Sequence, residues 1–197
     1  MIGLPLCLAL MAGFTRLSMQ ARLWSRARLG LEWFLKNVWS KLQESAVLPL
    51  IKGDKVDLKF YIAGRNAKHA KLAIEKNVII TGEVENAYDF MNSKGIMVVP
   101  LLSGSGIRVK IIEGMALGKT IVSTSLGAEG ISCKDGQNIL IADTPGAFAE
   151  KIIKCINEKI FFSVIGDNAY QFAKRQFSSH EVTKKLLDFF QQHLSAA

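Results

Sequence analysis

Apolar and polar positions along the chain fall into two alternating periods. Short apolar runs of strand length lie at 58–63, 77–81, 96–101, 120–124 and 138–142. Between them the spacing becomes helical. Leu31, Phe34, Leu35, Val38, Trp39 and Leu42 mark an amphipathic helix from Gly30 to near Ser45, with Trp33 and Trp39 read as core. Further helices are expected over about 67–76, over 86–93, and after Gly106. Thr144 reads as the cap of a helix with Pro145 at its first position, running to about Asn157. Two more follow near 160–175 and 179–193. The last carries Val182, Leu186, Leu187, Phe189 and Phe190, apolar enough to need a partner surface. Strands alternating with helices, without hairpin signals between them, predict an α/β fold: a Rossmann-like parallel sheet with helices on both faces.

The opening 28 residues break this pattern. Residues 1–14 are apolar but hold Pro5, lack a basic n-region and are too short to span a bilayer. Pro5 argues against Ile2 to Leu10 as a central strand. Residues 15–28 are rich in arginine and free of acids, which fits a poorly ordered leader better than a membrane-surface or targeting helix. The expected division is therefore a leader over 1–28 and one Rossmann-like domain over 29–195.

The most distinctive chemistry lies at 103–118. Ser103, Gly104, Ser105, Gly106, Ile107 and Arg108 form a glycine-rich turn directly after the apolar run 96–101, and the following helix carries Lys110 and Glu113. On a helical wheel from Gly106, residues Ile107, Val109, Ile111, Ile112, Met115 and Ala116 cover a wide apolar arc, leaving Lys110 and Glu113 as neighbours on a narrow polar stripe. Cations in the first helical turn oppose the macrodipole, and a bound anion would reverse that argument. Free N–H groups, glycines and two cations suit a diphosphate, and Glu113 could accept hydrogen bonds from vicinal hydroxyls. The alternative is a flexible loop with a solvated Arg108 and a surface ion pair contributing roughly 0.2–0.5 kcal/mol. In parallel sheets ligands bind beyond the carboxyl ends of the strands, so Gly64, Arg65, Gly82, 103–106 and 127–130 should converge on one crevice.

Charge and cysteine content narrow the function classes. Of the net charge of +8, half comes from Arg16, Arg22, Arg26 and Arg28 in residues 1–31, so the main body is only mildly basic. That suits a phosphorylated ligand or peripheral contact with an anionic membrane, but not nucleic acid, which calls for a denser basic stripe with interleaved aromatics. Cys7, Cys133 and Cys155 show no paired spacing, and His69, His180 and His193 are scattered. These point to a reducing, cytoplasmic setting and no metal.

From Gly30 to about Leu194 the chain resembles the C-terminal, donor-binding half of retaining GT-B glycosyltransferases of family 4, the glycosyl transferases group 1. The matching motifs are Phe60-Tyr61-Ile62-Ala63-Gly64-Arg65, Thr81-Gly82-Glu83-Val84, Val98-Val99-Pro100-Leu101, Gly104-Ser105-Gly106-Ile107-Arg108-Val109-Lys110, Glu113 to Lys119, and Gly127 to Ile131. The resemblance implies a nucleotide-diphosphate-sugar site: Glu113 on the ribose, Arg108 and Lys110 on the diphosphate, the 103–106 backbone on phosphate or sugar oxygens, and Gly82 and Val84 beside the base. It implies transfer to an acceptor hydroxyl with retention, without a metal or other cofactor. Where many members carry the first of two glutamates, this chain has Ser105. There is no room for the family's acceptor-binding domain, and its first strand and glycine loop are not expected in 1–28. The implied protein is a truncated enzyme or half of a two-chain one, possessing a donor site and a separate acceptor-binding partner, at the inner face of the membrane if membrane contact is made. The other readings are a non-catalytic subunit that docks on an acceptor domain, and a nucleotide-sugar 2-epimerase, for which no convincing acid–base set is found.

Overall fold

The computed structural model describes residues 7–11, 28–44, 50–51, 54–55, 58–64, 67 and 75–194. Its strands are β1 (Cys7–Met11), β2 (Leu50–Ile51), β3 (Asp54–Lys55), β4 (Lys59–Ala63), β5 (Val78–Gly82), β6 (Ile96–Val99), β7 (Thr120–Ser123) and β8 (Leu140–Ile141). β2 and β3 pair only with each other, antiparallel. The other six form one parallel sheet in the order β5-β4-β1-β6-β7-β8.

The chain therefore builds outward from β1 through β4 to β5, crosses back, and continues from β6 to β8. Counted within this sheet, that is the order 3-2-1-4-5-6 of doubly wound dinucleotide-binding folds, with the reversal between β1 and β6. The position of β1 corrects the expectation for the opening residues. Cys7–Met11 pairs with Lys59–Ala63 on one side, Cys7 opposite Lys59, and Leu8 and Ala9 pair with Ile96 and Met97 on the other. The strand starts at Cys7, so Pro5, which lies outside the described residues, does not fall within the Cys7–Met11 ladder. The five residues are an unbroken apolar run, the pattern of a strand covered on both faces. Residues 12–27 and 68–74, the latter most of the helix expected over 67–76, lie outside the described residues; Glu75 and Lys76, at its expected end, are already in the turn that leads into β5.

Helices clothe both faces. α1 (28–34) passes through a π-helical turn at Leu35–Trp39 into α2 (Ser40–Glu44). The wider turn still delivers Leu35, Val38 and Trp39 to the core, and the indole N–H of Trp39 donates to the Lys76 carbonyl at 3.0 Å, so the buried ring keeps a polar partner. α3 (Ala87–Asn92) is capped by Asn86, whose side chain accepts from the N–H groups of Tyr88 and Asp89. α4 (Val109–Ala116) precedes β7, and α5 (Ser125–Ala128) follows it under a Thr124 cap. α6 (Pro145–Asn157) starts where the sequence places it, with Thr144 accepting from Ala147 and proline in the first turn. α7 (Lys159–Phe177) and α8 (Ser179–Leu194) complete the chain.

Alternation along the strands divides the core in two. Phe60, Ile62, Ile96, Val98 and Val122 meet Phe34, Trp39 and Phe148 on one face, where Phe34 packs on Phe60 with ring centroids 4.8 Å apart. Met97 and Ile121 meet Ile111 and Met115 of α4 and Ala169 of α7 on the other. β8 is shorter than the expected 138–142 run because the Asn138 side chain accepts from the Lys134 N–H, folding 134–138 into a turn.

α1 touches the sheet edge that matters most. A Cβ on Gly30 would collide with the Pro100 carbonyl, just past the end of β6. The helix packs backbone to backbone against the start of the glycine-rich loop.

Candidate functional site

The carboxyl ends of the strands carry the loops singled out in the sequence, and several are tied together. The Gly64 N–H donates to the Gly82 carbonyl at 2.7 Å, joining the ends of β4 and β5. The end of β6 is tied to that of β7: Ser123 Oγ and the Thr124 N–H both donate to the Val99 carbonyl, and Thr124 Oγ1 donates to the Leu101 carbonyl at 2.6 Å. Those two hydroxyls fix where the glycine-rich loop starts. Neither hydroxyl is among the expected site residues, although Thr124, at the end of the apolar run 120–124, is of the residue type that caps a following helix.

Beyond Leu101 the chain turns through Ser103 to Gly106. Gly104 has φ of 137° and Gly106 φ of 86°, a backbone that L side chains rarely adopt. Ser103 Oγ is buried and has no hydrogen-bond partner among the described residues. Arg108 is the residue before α4 and does not cap it with its side chain. Its guanidinium folds back instead, with Nη1 donating to the carbonyls of Ser105 at 2.6 Å and Gly106 at 2.7 Å. Lys110 and Glu113 meet as expected, Nζ to Oε2 at 2.5 Å, each about a quarter exposed.

The apolar arc of this helix is narrower than the wheel implied. Ile111, Gly114 and Met115 are buried, but Ile107 is 52% exposed, Val109 60% exposed, and Ala116 is also on the surface. The helix begins at Val109, so a wheel started at Gly106 assigned helical directions to loop residues. Ile107 reaches across to Gly130, where an added Cβ would lie 3.1 Å from its Cγ1, so the loop after β7 borders the glycine-rich loop.

The expected site residues thus form two groups. Ser103, Gly104, Ser105, Gly106, Ile107, Arg108, Lys110 and Glu113 cluster after β6, beside the reversal of strand order. Gly64 and Gly82 form the second group, with the half-buried Val84 packed against the second core. β1 stands between β4 and β6, so the loops after those two strands are two strand spacings apart, about 10 Å. Arg65 lies outside the described residues. Among the described residues no three His, Cys, Asp or Glu side chains gather as metal ligands.

A parallel sheet with this strand order and a glycine-rich loop beside its reversal defines a Rossmann-like domain of the kind found as the C-terminal half of GT-B proteins. A family model described as Glycosyl transferases group 1 matches residues 15–158, and the chain belongs to that family. It is 29% identical over 164 residues to an uncharacterised 44.6 kDa protein in the cps region of Klebsiella pneumoniae, covering 78% of this chain and 40% of that protein. In structure it is similar to Anabaena HepE in complex with UDP, with a TM-score of 0.68 at 15% identity over 96% of this chain and 49% of HepE. It is also similar to the C-terminal domain of a glycosyl transferase group 1 family protein, LpcC, from Francisella tularensis, with a TM-score of 0.61 at 16% identity over 88% of this chain and 87% of that domain. The chain spans less than half the length of the first two relatives.

Proposed function

We propose that this domain binds the nucleoside-diphosphate portion of a sugar donor, for transfer of the sugar to an acceptor hydroxyl with retained configuration. The carrying observation is the placement of the 103–108 loop, Lys110 and Glu113 together at the reversal of strand order. Lys110 and the loop amides face the diphosphate, with the Arg108 charge behind them, and Glu113 accepts from the ribose hydroxyls. Gly82 and Val84 lie toward the base, with Gly64 at the edge of the crevice, and the adjoining Arg65, outside the described residues, is a further expected donor contact. The unpartnered Ser103 hydroxyl supplies one more donor to a phosphate or sugar oxygen. A diphosphate seat of this kind promotes transfer by holding the sugar in line and stabilising the charge that develops on the leaving diphosphate.

The acceptor would be supplied by a separate acceptor-binding half. The chain's coverage of 40% and 49% of two relatives supports that division, as does the exposed apolar side of α8. No helix among the described residues is long and apolar enough to cross a membrane.

Thermal unfolding with UDP-, GDP- and ADP-sugars tests the reading. At a hundredfold excess over Kd the stabilisation is about 2.7 kcal/mol, a rise of roughly 5–10 °C for a domain of this size. Glu113→Ala is expected to abolish the rise while leaving the ligand-free midpoint nearly unchanged. No rise with any of the three classes would remove the proposal.

A further inference from the structure

The geometry points to Arg108 as a positioning residue: its guanidinium, bonded to the Ser105 and Gly106 carbonyls, turns the Gly106 and Ile107 N–H groups to the opposite side as a paired donor site for the diphosphate. This rests on the donor-binding reading above and changes the part Arg108 plays in it. A planar trans peptide carries its C=O and N–H on opposite sides, and no described peptide is cis. Fixing the Ser105 carbonyl therefore fixes the Gly106 N–H, and fixing the Gly106 carbonyl fixes the Ile107 N–H. Neither N–H donates to another described residue.

Other features agree with a clamp. The Arg108 Nε and Nη2 atoms are buried although the residue sits in a surface loop. A Cβ on Gly104 would lie 2.9 Å from Nη2, so the guanidinium occupies space that only glycine leaves free. Holding two glycines in one backbone conformation costs more entropy than for any other residue, and two short charge-assisted hydrogen bonds offset that cost. Both bonds come from Nη1; a lysine could bring the same charge, but on a flexible stem without the planar group whose Nε and Nη2 fill the buried space beside Gly104.

The test uses the 197-residue chain and two substitutions, Arg108→Ala and Arg108→Lys. Amide exchange in the ligand-free protein is expected to quicken at 104–107 in both variants and to stay as in the parent in the sheet. UDP affinity should fall about tenfold or more in both, the size expected for losing hydrogen bonds to a charged group. The preference for UDP over UMP should shrink as well. Unchanged exchange at 104–107 in Arg108→Ala would overturn the clamp. Full UDP affinity in Arg108→Lys would overturn it too, because charge alone would then suffice. A parent protein that binds no nucleoside diphosphate would refute the donor reading and the anion role of the two amides, while the clamp is still read from exchange without ligand.

Discussion

Single residues in this chain behave as their local chemistry dictates where that chemistry is short-range. Thr144 and Pro145 were legible as a helix start because a cap needs only a side-chain oxygen and a free N–H three residues on. Thr144→Ala should cost about 1 kcal/mol in chemical denaturation, with an unchanged slope. Lys110 and Glu113 were legible for the same reason, being one helical turn apart. The fold-back of Arg108 was not, since it depends on the φ values of two glycines that composition does not specify. Burial also sets thiol chemistry. It pushes Cys155 up to about 12, with Glu158 adding to the rise and Lys154 opposing it. Iodoacetamide at pH 8 should therefore leave Cys155 unmodified in the native protein, and raising the pH to 9 should not expose it. Peptide mass mapping is the readout, and modification at the rate of an exposed thiol would contradict the packing.

At the scale of elements, boundaries were clearest where glycine or a cap ended a run, as at Gly64 and Gly82. β1 is hidden by Pro5 only if the proline is placed within the strand, which begins two residues later. The signal was present in the unbroken apolar run 7–11 followed by Gly13, which repeats the punctuation of the runs ending at Gly64 and Gly82. Packing between elements was less legible, and Gly30 shows why. Alanine is intrinsically the better helix former by about 1 kcal/mol. Gly30→Ala should nonetheless destabilise the domain by about 2 kcal/mol or more, because the obstacle is the Pro100 backbone, which cannot rotate aside. An equal or raised midpoint in urea would show that α1 shifts freely. On α8, where Leu186 and Leu187 are more than half exposed, replacement of both by glutamine should alter stability by no more than about 0.5 kcal/mol.

Among the described residues the organising feature is the six-stranded parallel sheet, whose two wings meet at β1. The parallel architecture and both faces of helices followed from the alternation of periods. The strand order does not, because the central strand lies in the opening stretch whose composition reads as a leader. Removal of residues 1–11 should abolish cooperative unfolding, since β4 and β6 then have no strand between them. Removal of 179–197 should leave cooperative unfolding intact, because α8 from 182 to 192 is exposed throughout. Circular dichroism during a thermal scan distinguishes the two outcomes.

The same strand order governs how the molecule can be assembled during synthesis. β1 leaves the ribosome before either of its neighbours, and its later one, β6, is about 90 residues away along the chain. Vectorial growth of the sheet from one end is thus ruled out. Once β4 has been made β1 can pair along one edge, but its other edge stays open until translation has passed β6, and the centre of the sheet closes only then.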